Sequence, residues 1–195
     1  LKEIDVTLTD FVLAAQTLFF FWRIWKRPAA HPLRTSFLIL FLGFGLASAA
    51  GGIVHGFTTH GTLTHSILWT ITLISVGVTA CGFALAGSRL IWGPAHTRVA
   101  GQAVIGVFLL YGIVLIFKRA FLIAILFYIP ATLLMLAGLA AHIRRHGSDR
   151  RVRIGLMGLG LSLVAPLVQI FGVSLHPVYF TYNALYHVIL MIAVG

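Results

Sequence analysis

"TSFLILFLGFGLASAAGGIVHGF", residues 35 to 57, contains no Asp, Glu, Lys or Arg, and its one imidazole, His55, stands near the end. At about 1.5 Å per residue, a helix of this length crosses a hydrocarbon core of about 30 Å. Backbone amides in lipid find partners only within their own segment, so the stretch must be a helix. Comparable apolar runs lie at 7 to 25, 64 to 87, 97 to 117, 119 to 142, 153 to 174 and 179 to 195. The last is short for a crossing, and its helix is expected to continue past Gly195. These runs leave no stretch for a soluble domain. The fold expected is an all-α integral membrane bundle of seven transmembrane helices, one domain over residues 1–195.

Composition agrees, with 59% of the 195 residues apolar and 9% charged. Cys81 is the single cysteine and lies in an apolar run, which excludes a disulfide and a cysteine-rich metal centre. The first run follows acidic residues and lacks the basic segment and cleavage site of a secretory signal, so it reads as a retained helix. A net charge of +10 raises the question of nucleic acid. The basic residues sit instead in short connections between apolar runs, and nucleic acid is not an expected partner.

Those connections set an expected orientation. Arg23, Lys26, Arg27, Arg34, Arg89, Arg98, Arg144, Arg145, Arg150, Arg151 and Arg153 follow the first, third and fifth runs; only Lys2, Lys118 and Arg119 fall on the other side. The positive-inside rule puts the amino terminus outside and the carboxyl end in the cytoplasm. A bacterial-type plasma membrane is the expected location. The basic connections also hold the helix breakers "KRPAAHP", "WGP" and "HGSDRR", and Trp22, Trp25 and Trp92 stand near the same interface. Small residues in "FGLASAAGG" and "GLMGLGLS" fit close helix packing, and Pro130 and Pro166 are expected to kink their helices.

Polar groups inside apolar runs are the informative minority, because each is costly unless it has a partner or faces a cavity. They are Asp10, Gln16, His55, Gln102, Gln169, Asn183 and His187, with His65 at the mouth of the third run. The topology places Asp10, His55, His65, Asn183 and His187 at one depth near the outer surface, on four helices. The i, i+4 spacing of Asn183 and His187 puts both on one face. Imidazole and carboxylate are preferred zinc ligands, and three ligands with an open position make a catalytic centre. His55, His65 and His187 are therefore the candidate metal ligands, with His60 competing for the place of His65. Taken singly, each histidine is equally served by an interhelical hydrogen bond. His31, His96, His142 and His146 lie with the basic connections, where surface roles suffice; His176 is an outer-loop residue.

Two of these stretches resemble a known group. "AGGIVHGFTTH" (50 to 60) resembles the second-helix motif of the CREST superfamily, seven-helix membrane proteins that include alkaline ceramidases and the progestin and adipoQ receptors, in which a small residue or Ser precedes His by four positions. "YNALYHVILMIA" (182 to 193) resembles its seventh-helix motif, His, three residues, His. The resemblance carries over to His55 and His187 and implies a zinc ion that activates water on a lipid amide. Gly51 stands at the family's serine, Asn183 at its first seventh-helix histidine, and the third run has no aspartate. His65 is then expected to complete the ligands, with Asp10 as proton acceptor and Asn183 orienting water or the oxyanion. The function expected is a zinc-dependent intramembrane hydrolase of a lipid amide or ester. The alternative is a non-catalytic receptor, transporter or accessory subunit whose polar layer is a ligand pocket or a structural network. Two-haem electron transfer is disfavoured because the second run has one histidine, near one surface only. Retinal chemistry is excluded because no lysine lies deep in a run.

Overall fold

The computed structural model describes residues 2–28 and 31–195; Ala29 and Ala30 of "KRPAAHP", and Leu1, lie outside them. Seven α-helices follow in order: α1 (Ile4–Trp25), α2 (Arg34–Phe57), α3 (Leu63–Trp92), α4 (Thr97–Phe117), α5 (Phe121–His146), α6 (Arg150–Ile170) and α7 (Tyr182–Val194). The first six are long and apolar enough to cross a membrane, whereas α7 has 13 residues. The exterior is greasy: Ile116, Phe117 and Met157 are among many exposed large apolar side chains, Phe117 at 85%. Water would not tolerate a surface of that kind, and lipid does.

Helix ends explain where these boundaries depart from the expected ones. α3 runs on to Trp92 because Gly87, the expected exit, is buried against α5, and the helix stops only at Gly93, with φ of 75°. α6 begins at Arg150, where the Asp149 carboxylate accepts from the Val152 amide at 2.8 Å, a side-chain N-cap. It stops at Ile170, short of Gly172 with φ of +64°, which turns the chain into the loop before α7. Pro130 and Pro166 both lie inside uninterrupted helix.

Six helices close a ring. α1 packs on α2, α2 on α3, α3 on α5, α5 on α6, α6 on α7 and α7 on α1, while α4 packs outside the ring on α3. The Tyr111 hydroxyl of α4 donates to the Leu73 carbonyl of α3 at 2.7 Å and helps hold it there. Glycines set the closest crossings. A Cβ at Gly82 would stand 2.6 Å from the Leu40 backbone nitrogen, and one at Gly87 2.5 Å from the Leu134 carbonyl oxygen, so α3 meets α2 and α5 backbone to backbone.

The two ends of the ring differ. At one end Arg34 donates to the carbonyls of Ile24 and Trp25, and Arg145 to those of Leu90 and Ile91, so arginines cap the last turns of α1 and α3. Lys26 stacks on Trp22, 4.2 Å from the ring centroid. Leu40, Phe83, Tyr128, Met135 and Leu159 fill the interior of this half. The other end gathers the starts of α1, α3, α5 and α7. Asp5 accepts from both the amide and the hydroxyl of Thr181 at 2.8 Å, which fixes the start of α7 against α1.

Candidate functional site

Between the packed half and the Asp5 end, the ring encloses a cavity of about 390 Å³ to which all six of its helices contribute. Its volume falls in the range of small-molecule sites. Most of the lining is apolar, including Leu13, Phe44, Val76, Ile125 and Leu190, and the polar groups include Asp10, His55, Gln169, Asn183 and His187.

Asp10 is the most deeply placed charge-bearing group, 3% exposed in the second turn of α1. It fits because α2 presents bare backbone: a Cβ at Gly51 would stand 3.0 Å from Asp10 Oδ2, and one at Gly52 3.2 Å from Asp10 Cβ. Asp10 Oδ1 lies 3.2 Å from His187 Nε2, and Oδ2 is buried with no partner among the described residues. The other nitrogen of His187, Nδ1, is 3.2 Å from the Thr9 hydroxyl. That hydroxyl also has two carbonyls of its own helix within reach of its single proton, those of Asp5 at 2.8 Å and Val6 at 3.0 Å. With the Thr9 proton on those carbonyls, its oxygen accepts from His187 Nδ1–H; with that proton on Nδ1, His187 Nε2–H donates to Asp10 instead. In the first arrangement Nε2 faces Asp10 as an acceptor. Two acceptors 3.2 Å apart need a proton, or a cation, between them.

Thr9→Val tests the first arrangement. It keeps the side-chain volume and removes the acceptor, leaving a buried N–H unpaired at a cost of about 1–3 kcal/mol. The expected result is a corresponding loss in thermal stability in detergent, with the Nδ1 proton resonance of His187 shifted or lost; an unchanged resonance would contradict it.

The remaining predicted site residues separate. His55 lines the cavity, but its Nδ1 is 2.8 Å from Glu3 Oε2, and among the described residues its Nε2 has no hydrogen-bond partner. Asn183 also lines the cavity; its Oδ1 accepts from Gln169 Nε2 at 2.9 Å, so its own amide N–H groups stay available. His65 does not line this cavity. Its Nδ1 meets the Thr58 hydroxyl at 2.8 Å, and its ring lies 4.2 Å from that of His60. The expected single layer thus divides into an inner group of Asp10, Asn183 and His187 and an outer group of His60 and His65, with His55 between them. Among the described residues, no three His, Cys, Asp or Glu side chains are gathered as a ready metal centre. Gln16 donates to the Met191 carbonyl at 3.1 Å, and Gln102 is exposed on α4.

Three participants had no signal in the sequence. Thr9 looks like any helical threonine, Glu3 precedes the first run, and Tyr128, whose buried hydroxyl lacks a partner, looks like an ordinary aromatic of an apolar helix. The comparisons with known proteins add one match, the "Family of unknown function (DUF6962)", over residues 6–195. No curated protein and no solved structure matches the chain.

Proposed function

We propose that this chain, which belongs to the DUF6962 family of unknown function, is an intramembrane hydrolase that admits a lipid amide or ester to the central cavity. The observation that carries the reading is the buried Asp10–His187 pair on the wall of an apolar chamber, with Asp10 Oδ2 unpartnered among the described residues. A group of this kind takes a proton from water and returns it to a leaving group, the task of a general acid–base pair. Thr9 holds the His187 ring in the required tautomer. Asn183, fixed by Gln169 through its oxygen, keeps its N–H groups for the oxyanion that forms as the carbonyl is attacked. Leu13, Phe44, Val76 and Leu190 offer an acyl chain an apolar wall. The eleven-to-three distribution of basic residues orients the chain with its amino terminus outside and its carboxyl end in the cytoplasm, so the polar end of the cavity opens outward. The proposed location is a plasma membrane of bacterial type.

Zinc fits the donor chemistry in part. His187 Nε2 and Asp10 supply a nitrogen and an oxygen in contact, and His55 is a third donor on the same wall, its Nδ1 held by a carboxylate as the outer nitrogen of metal-bound imidazoles commonly is. Bound there, zinc would supply Lewis acidity to the carbonyl. Protein purified without chelator should carry one zinc per chain by elemental analysis, and His187→Gln should lose it. Hydrolysis by a metal-free preparation would reduce the centre to the Asp10–His187 pair alone.

A second reading, a non-catalytic receptor, transporter or accessory subunit, is favoured by one observation. Asn183 and His65 are each engaged by a neighbouring side chain, as in a structural network. Retained lipid without turnover, unaffected by Asp10→Asn, would select it.

A further inference from the structure

Next to the central cavity, at the same end of the ring, lies a second cavity of about 480 Å³ between the starts of α1, α3 and α5. Its wall includes Lys2, Arg119, His60, His65 and His55 together with one carboxylate, Glu3, and it shares His55, Trp69 and Phe121 with the central cavity. Two of the three basic residues on this side of the sequence, from positions more than a hundred residues apart, therefore converge on one concave site.

Among the described residues, neither cation makes an ion pair. Lys2 Nζ donates to the Thr59 hydroxyl at 2.8 Å and Arg119 to the Ser66 hydroxyl at 2.6 Å, both neutral partners. The chain has only four carboxylates, and the one on this wall, Glu3, is held by His55. Asp5 holds Thr181, Asp10 faces His187, and Asp149 caps α6 at the far end. Among the described residues, two cations thus share the wall with a single carboxylate, which is already paired with an imidazole. The first turn of α5 adds to the deficit, because its N-cap is Ala120, with no side chain to accept from the first amides of the helix.

We infer that this vestibule is a phosphate-binding site which holds the anionic headgroup of the molecule whose chain enters the central cavity. Arg119 and Lys2 supply charge-assisted hydrogen bonds and His60 and His65 further donors, while the shared wall of His55, Trp69 and Phe121 joins headgroup to acyl chain. The inference rests on the reading of the central cavity as a lipid chamber and narrows its substrate to a phosphate-bearing amphiphile.

The test uses the full chain in phosphatidylcholine nanodiscs, titrated calorimetrically with short-chain phosphatidic acid, inorganic phosphate and short-chain diacylglycerol. Phosphatidic acid should bind at least about tenfold more tightly than diacylglycerol, and Lys2→Gln with Arg119→Gln should remove that preference. Lys118→Gln, beside Arg119 but outside the vestibule wall, should leave it intact. Inorganic phosphate that binds as tightly as phosphatidic acid would identify free phosphate as the source; much weaker phosphate binding identifies the lipid headgroup. Equal binding of phosphatidic acid and diacylglycerol, or a preference unchanged in the double variant, overturns the inference. Asp10→Asn separates the two readings, since it should abolish hydrolysis and leave headgroup affinity unchanged.

Discussion

Asp10→Asn is expected to lower hydrolysis of a lipid amide or ester by about a hundred- to ten-thousand-fold, the usual contribution of a positioned acid–base group. The fold should survive the change. The Asn amide occupies the same volume against Gly51 and Gly52 and can donate to His187 Nε2, so the hydrogen bond between α1 and α7 is retained. What is lost is the capacity to accept a proton from water. His187→Ala is the harsher change, because it leaves a buried carboxylate without its partner, and breaking a buried pair typically costs about 3–5 kcal/mol. Turnover measured on released fatty acid, together with the thermal midpoint in detergent, separates the two effects. Activity within a factor of a few of wild type in Asp10→Asn would remove the pair from the mechanism.

Gly87→Val is expected to destabilise the fold strongly without touching the Asp10–His187 pair. The new Cβ would meet the Leu134 carbonyl oxygen at 2.5 Å and the Met135 Cα at 2.7 Å, and Gly138 of α5 faces Gly87 in turn. Backbone atoms cannot turn aside as a flexible side chain can, so α3 and α5 must separate. Overpacking typically costs about 1–3 kcal/mol, and a backbone obstacle should place this variant at or above the upper value. The cavity should suffer with it, since α3 and α5 form adjoining parts of its wall. Gly106→Ala is the control: a Cβ there meets nothing within 4 Å, and α4 stands outside the ring. It should be neutral or slightly stabilising, because alanine has the higher helix propensity. A Gly87→Val protein with the wild-type thermal midpoint would show that the α3–α5 crossing is not as close as described.

The layout of the bundle was legible because hydropathy reports on lipid directly. Run lengths located all seven helices, and the breakers lay close to the turns. The late end of α3 shows why boundaries are hard to read: a glycine in a membrane helix serves packing as well as termination, and only the tertiary contact of Gly87 tells the two apart. The site was legible in depth and not in direction. Counting residues from one end places Asp10, His55, His65 and His187 at similar levels, but the angular position of each side chain depends on helix rotation and neighbour order. Asp10 and His187 come together because α7 closes the ring against α1. His65, at nearly the same level, turns instead toward Thr58 and His60. The position of α4 outside the ring was equally hidden, since apolar residues on every face suit a lipid-bathed helix and a buried one alike.

The most direct measurement incubates wild-type protein in nanodiscs with phosphate-bearing lipid esters and amides in heavy-oxygen water and follows the products by mass spectrometry. Hydrolysis at the Asp10–His187 pair predicts free fatty acid carrying one heavy oxygen, formed by the wild type and not by Asp10→Asn. No fatty acid above the protein-free control from either class of lipid, with the ligand held unchanged, would contradict it.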